Sequence, residues 1–108
     1  MAAIERLAIV NPAANAANTA FTSDSTFLIS VIATNKSNTE NALISVWVSP
    51  LGVDSEGGRG YVAYNLPLSI SNTYETIRFP IINTDQVRVQ ASTANVSFII
   101  AGIDQLDV

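Results

Sequence analysis

Few side chains in this sequence are equipped for chemistry. There are nine carboxylates, five cations (Arg6, Lys36, Arg59, Arg78 and Arg88), and neither histidine nor cysteine. Without histidine, the commonest general base, transition-metal ligand and near-neutral proton switch are missing. Without cysteine there is no disulfide, thiolate metal site or thiol nucleophile. A serine nucleophile would have to draw on Lys36, which sits in a polar stretch. A paired-carboxylate site needs two acids roughly 5 to 10 Å apart with one desolvated. The acids here lie almost wholly in turns and tails, and Glu75 and Asp85, which flank strand ends, read as solvated. No catalytic residue is assigned, and the chain does not read as an enzyme. The net charge is −4 and the cations are scattered. Phosphate neutralisation needs clustered basic residues, so nucleic acid is not an expected partner.

Two further patterns could bind something. Residues 50–60, PLGVDSEGGRG, hold four of the five glycines. Asp54 and Glu56 there could offer oxygens to calcium, but a calcium loop needs more acids at fixed spacing. Gly57-Gly58-Arg59-Gly60 lacks the Lys-Ser or Lys-Thr of a phosphate loop. The chain therefore shows no metal set and no cofactor site, and the stretch reads as a mobile surface loop. The aromatic residues Trp47, Tyr61, Tyr64 and Tyr74, together with Arg59, form a candidate contact surface. Trp47, the single tryptophan, reads first as a packing anchor. A protein-contact hot spot and a sugar-stacking platform are the alternatives. The tyrosines suit either strand-face packing or an aromatic contact surface.

The elements that would position these residues are strands. Ile4 to Val10 reads as a strand, with a short helix as the alternative, and Asn11-Pro12 ends it. Residues 13–20, AANAANTA, bury no face and read as a loop, with Phe21 re-entering the core. Thr26 to Thr34 and Ala42 to Ser49 are strands, the first apolar on both faces as in a central strand. Tyr61 to Asn65 is a short strand. Glu75 to Ile81 alternates, with Ile77, Phe79 and Ile81 inward, and Pro80 places it at an edge or bulge.

Val87 to Ile103 holds the clearest pattern. Val87, Val89 and Ala91 share one face, and Gln86, Arg88 and Gln90 the other, as the period of two requires. Val96 to Ala101 is apolar on both faces apart from Ser97. It needs a central place in its sheet or a neighbouring subunit against it. The two runs read as a hairpin closed by Ser92-Thr93-Ala94-Asn95. The tail from Asp104 is expected to fray. Seven or eight short strands with polar turns, and no helix-period segment, give an all-β chain. The expected fold is an antiparallel β-sandwich, jelly-roll or immunoglobulin-like, with a small closed barrel as the alternative.

At 108 residues the sequence makes one domain, residues 1–108. Only 13% of residues are charged, about half the usual fraction. Such a surface suits oligomer contacts or a host assembly. No apolar run has the length and flanks of a signal peptide or membrane span, so no membrane partner is expected. The sequons at Asn35 and Asn95 thus lack a secretory context and read as chance matches.

Four segments carry a family likeness: IERLAIVNPAAN, FLISVIATNKS, ISVWVSP and DQVRVQASTANVSFIIAGID. Together they resemble the small β-sandwich virion proteins of tailed phages, notably those of cyanobacteria and other marine bacteria. The resemblance implies a structural, non-catalytic protein of the virion, assembled in the host cytoplasm. It implies a capsid decoration (cement) protein first. A receptor- or glycan-binding module of a neck or tail fibre is the alternative, and a carbohydrate-binding module of cellular origin is a third reading. The implied partners are copies of itself, in a homotrimer or other symmetric oligomer, and the major capsid protein or other virion proteins. The resemblance transfers no site residues.

Overall fold

The structure is a computed structural model, and it describes residues 4–104. Nine antiparallel strands form two sheets: β1 (Glu5–Val10), β2 (Asn18–Thr22), β3 (Phe27–Asn35), β4 (Ala42–Ser49), β5 (Gly60–Leu68), β6 (Thr73–Glu75), β7 (Phe79–Ile81), β8 (Gln86–Ala91) and β9 (Val96–Asp104). One sheet has the order β1-β9-β3-β6, with β7 also paired to β3; the other has the order β2-β8-β4-β5. β6 and β7 run in succession along β3 and share one strand position. Each sheet therefore has four positions, and the chain switches sheets at nearly every connection, with β4–β5 alone pairing as a hairpin. Alternation of this kind is the double-sheet jelly roll. In the immunoglobulin arrangement several successive strands would pair within one sheet.

The inward rows are those that the period of two selects. Phe27, Ile29, Val31 and Ala33 of β3 meet Val96, Phe98 and Ile100 of β9, Ile44 and Val46 of β4, and Val87, Val89 and Ala91 of β8 in one buried core. Phe21 joins its margin, its ring edge-on to Phe27 at 5.4 Å. β9 lies between β1 and β3, the central place that its two apolar faces require. Gly102 is the one inward β9 position without a side chain. A Cβ there would lie 2.6 Å from Ile29 Cγ2 and 2.7 Å from the Leu28 carbonyl oxygen.

Four expectations need correction. β8 and β9 do not form a hairpin: β8 pairs with β2 and β4, and β9 with β1 and β3. The two ends of the connecting loop are tied to different sheets. The Ser92 N–H donates to the Leu43 carbonyl at the start of β4, and the Lys36 N–H, just after β3, donates to the Asn95 carbonyl. Periodicity fixes which face of a strand is inward, not which strand lies beside it.

Second, Glu75 to Ile81 is interrupted at Thr76. Its N–H donates to the Val31 carbonyl at 2.9 Å, and its Oγ1 accepts from the Val31 N–H at 2.9 Å. The buried side chain thus stands in for a backbone group in the ladder. The register slips there, and Ile77 is turned outward, 77% exposed, instead of inward.

Third, part of the alanine- and asparagine-rich stretch is a strand. Asn18–Thr22 pairs along β8 as an edge, so long-range pairing supplies what local propensity lacked. Fourth, Asp85 is buried rather than solvated: its Oδ2 accepts from the Ile82 N–H at 3.0 Å and closes the turn before β8. Asp104 ends β9, and the rest of the tail expected to fray lies outside the described residues.

Candidate functional site

The sequence-predicted contact residues lie mainly on the outer face of the β2-β8-β4-β5 sheet. Trp47 points outward from β4, opposite Arg88 of β8, yet it is only 1% exposed. Residues 50–59 cover it. They fold back over the sheet in two turns, a tight one at Pro50–Gly52 and a 3-10 turn at Glu56–Gly58.

Asp54 pins this loop. Its Oδ1 accepts from Trp47 Nε1 at 3.0 Å, from Ser49 Oγ at 2.8 Å and from Arg59 Nε at 2.8 Å. Its Oδ2 accepts from Arg59 Nη2 at 3.0 Å and lies 3.6 Å from Arg88 Nε, an ion pair without a hydrogen bond. The Arg59 guanidinium caps the Trp47 ring 4.5 Å from its centroid, in cation–π geometry. Arg59 Nη1 also donates to Glu56 Oε2 at 2.7 Å and to the Tyr61 hydroxyl at 2.9 Å. The Arg59 hydrogen bonds hold the Asp54 carboxyl well below the usual carboxylate range, with Ser49 and Trp47 adding to the effect against partial desolvation. Reciprocally, Asp54 and then Tyr61 push the Arg59 guanidinium above its ordinary value.

The expectation of a mobile loop is therefore corrected. Charge-assisted hydrogen bonds, and a carboxylate whose acceptor sites are taken by its own protein, make it a clamp. Among the described residues no group of three or more metal-ligating side chains comes together.

Of the five expected contact residues, four gather here. Trp47 is sealed, and Arg59 and Tyr61 are half-buried in the clamp. Tyr64 is 63% exposed, edge-on to Tyr61 at 4.8 Å. Tyr74 lies apart, on β6 of the other sheet, packed against the core.

The second candidate surface is the outer face of the β1-β9-β3-β6/β7 sheet. The strand registers arrange its side chains in rows. Ile9, Ile99, Ile32 and Glu75 make one row across four strands. Arg6, Ala101 and Ser30 make the next. Ile103, Leu28 and Pro80 make the third. The small middle row between larger neighbours leaves an open groove of about 200 Å³, which Ile4 and Arg78 also line. Among the described residues no loop covers it: Ile4 on its lining is 60% exposed, and Ile9, at the end of the first row, 53%. Sequence reasoning named none of these as contact residues. The signal it did find was the apolar character of both faces of β3 and β9.

No family model matches the chain, and no curated protein matches it. Two crystal structures of a pentameric capsid protein isolated from metagenomic phage sequences match in fold. Each superposes with a TM-score of 0.50 over 94% of this chain, at 11% identity. The chain spans 60% of the length of that protein in one structure and 61% in the other.

Proposed function

We propose that the chain is a structural, non-catalytic component of a phage particle, and that it acts as a capsid decoration (cement) protein. The observation that carries this reading is the fold, a jelly roll alike over nearly its whole length to a phage capsid protein. The bare apolar sheet face supports it, because a contiguous exposed apolar patch marks an interaction surface. The work such a protein does is to bury that surface across junctions of the shell. At about 25 cal/mol per Å² of apolar area, a modest patch repeated over a lattice adds substantially to shell stability. The protein would reside in the virion, among copies of itself and the major capsid protein. A trimer or other closed oligomer fits this reading, and the fold neighbour's pentameric state favours a cyclic one.

Purified capsids lacking the protein test the proposal. Saturable binding with a rise in capsid melting temperature is the expected result. Capsids that neither bind it nor gain stability would remove the cement role.

A second reading, a glycan- or receptor-binding module of a neck or tail fibre, is favoured by the exposed Tyr64, whose ring is held edge-on to Tyr61. It predicts glycan-array or host-cell binding that is lost in Tyr64→Ala, a change outside the clamp.

A further inference from the structure

Two groups of exposed apolar side chains lie on opposite sheets, with Tyr64 and Ile82, 63% and 56% exposed, outside both. One is the outer face of the β1-β9-β3-β6/β7 sheet, where Ile4 lines the groove and Ile9 stands in the adjoining row. The other is the clamped loop, where Leu51 and Val53 are 72% and 63% exposed. We infer that copies of this chain associate head to tail, the Leu51–Val53 knob of one copy seating in the groove over Ser30 and Ala101 of the next. This rests on the reading of the chain as a particle protein and names the surface through which it meets itself.

The knob is built to keep its shape. Leu51 holds a left-handed backbone conformation, φ 57°, which a branched apolar side chain adopts only where its surroundings enforce it. The Val53 N–H closes the turn on the Pro50 carbonyl at 3.1 Å, and Asp54, the next residue, is the clamp. An ordered apolar projection loses little conformational entropy on docking. The groove has the matching size: an aliphatic cavity of roughly 150 Å³ takes up a benzene-sized group, and this one offers about 200 Å³.

A second copy is the occupant that answers both surfaces at once. Two bare faces stacked on a two-fold axis would cover the groove but leave both knobs in water. A head-to-tail contact covers both groups in every copy except at an open end. It closes into a ring if the rotation permits and otherwise extends. A stable contact needs roughly 800 Å² from each partner, and the broad side of a molecule measuring 43 × 32 × 19 Å supplies it.

Sedimentation velocity on the full chain at high micromolar concentration tests the inference. Three variants are compared with wild type: the knob pair Leu51→Asp/Val53→Asp, the face pair Ile4→Asp/Ile9→Asp, and Ile70→Asp as a control in a turn outside both groups. All changes are at exposed sites, aspartate tolerates a positive φ better than leucine, and matched melting curves verify folding. Wild type and the control are expected to be oligomeric and each pair variant monomeric. An equal mixture of the two pair variants is expected to form a dimer, because one intact knob and one intact groove remain.

A monomeric wild type would overturn the inference, as would a knob variant that still self-associates or a mixture that stays monomeric. A monomer that nonetheless binds and stabilises capsids would sink this contact alone. Oligomers that ignore capsids would sink the cement role and leave the contact standing.

Discussion

The two outer faces of the sandwich start from similar strands and end with opposite surfaces. Over β4 and β8, the outward Trp47, Ser49 and Arg88 are roofed by residues 50–59, and their donors converge on Asp54. Over β9 and β3, the outward Ile99, Ala101, Ile32 and Leu28 are half-buried and have no roof among the described residues. The difference lies in the connections. β4 and β5 are joined by a long excursion that returns across its own sheet, whereas β9 and β3 are flanked by edge strands that end short. A protein that roofs one face, polar around a single tryptophan, and leaves an apolar one without a roof among the described residues has a direction, with one side finished and one side requiring a partner. The finished side is held by polar convergence around an aromatic, and the unfinished side has no such tie among the described residues.

The sharpest way to break this contrast is at Trp47. If its face is a second, roofed core, Trp47→Ala should cost about 3 to 5 kcal/mol, as for other buried tryptophans. A loss under about 1 kcal/mol in denaturant titration would mean that the indole is a surface residue and the two faces are alike. Gly102 tests the other sheet from within. Its added methyl would press on Ile29 and on backbone that cannot swing aside. Gly102→Ala should therefore cost about 3 kcal/mol, the upper part of the usual range for overpacking. A neutral effect would show that β9 and β3 are not held as closely as the core requires.

How much of this was legible beforehand differs between the two faces. The inward rows of β3, β4, β8 and β9 follow from alternation alone, and so did the central place of Val96 to Ala101 in its sheet, although its outer face has no cover among the described residues. The jelly roll over the immunoglobulin order was not legible. A four-residue polar loop such as Ser92 to Asn95 serves a hairpin and a sheet-crossing arch equally well. What decided it were backbone bonds to Leu43 and Lys36, far away in sequence. The clamp was half legible. Trp47 as a packing anchor followed from its type, but glycines in residues 50–60 suggested mobility. The ties that remove it run from Asp54 to Arg59 and Arg88, and the second of these has no local spacing to betray it. Ile77 could not be placed, because its outward turn depends on Thr76 substituting its hydroxyl for a backbone acceptor.

The clamp gives the contrast a pH dependence. Asp54 titrates below its unfolded value in the folded protein. Its contribution is therefore fully present above the unfolded pKa, about 3.9, and is lost as pH falls below it. Asp54→Asn should cost about 2 kcal/mol at neutral pH, the range for hydrogen bonds to a charged group. In denaturant titrations the gap from wild type should hold from about pH 5 to about pH 4 and narrow steadily from there towards about pH 2. A gap that stays constant over that window would mean that the charge on Asp54 contributes nothing and the loop is held by shape alone.

The smallest expected effect is the one that most sharpens the comparison. Ile9 and Ile77 are half or more exposed and outside the core. Replacing either by serine should change the stability of the single folded chain by no more than about 0.5 kcal/mol, as for surface positions without special contacts. On the roofed face, by contrast, the outward Trp47, Ser49 and Arg88 are tied to Asp54. The asymmetry predicts that Ile9→Ser and Ile77→Ser leave dilute-solution melting curves unchanged while lowering the protein's tendency to associate as concentration rises. If either substitution instead destabilises the dilute chain by 2 kcal/mol or more, the bare face is already packed within one molecule. The distinction between a finished and an unfinished side would then be lost.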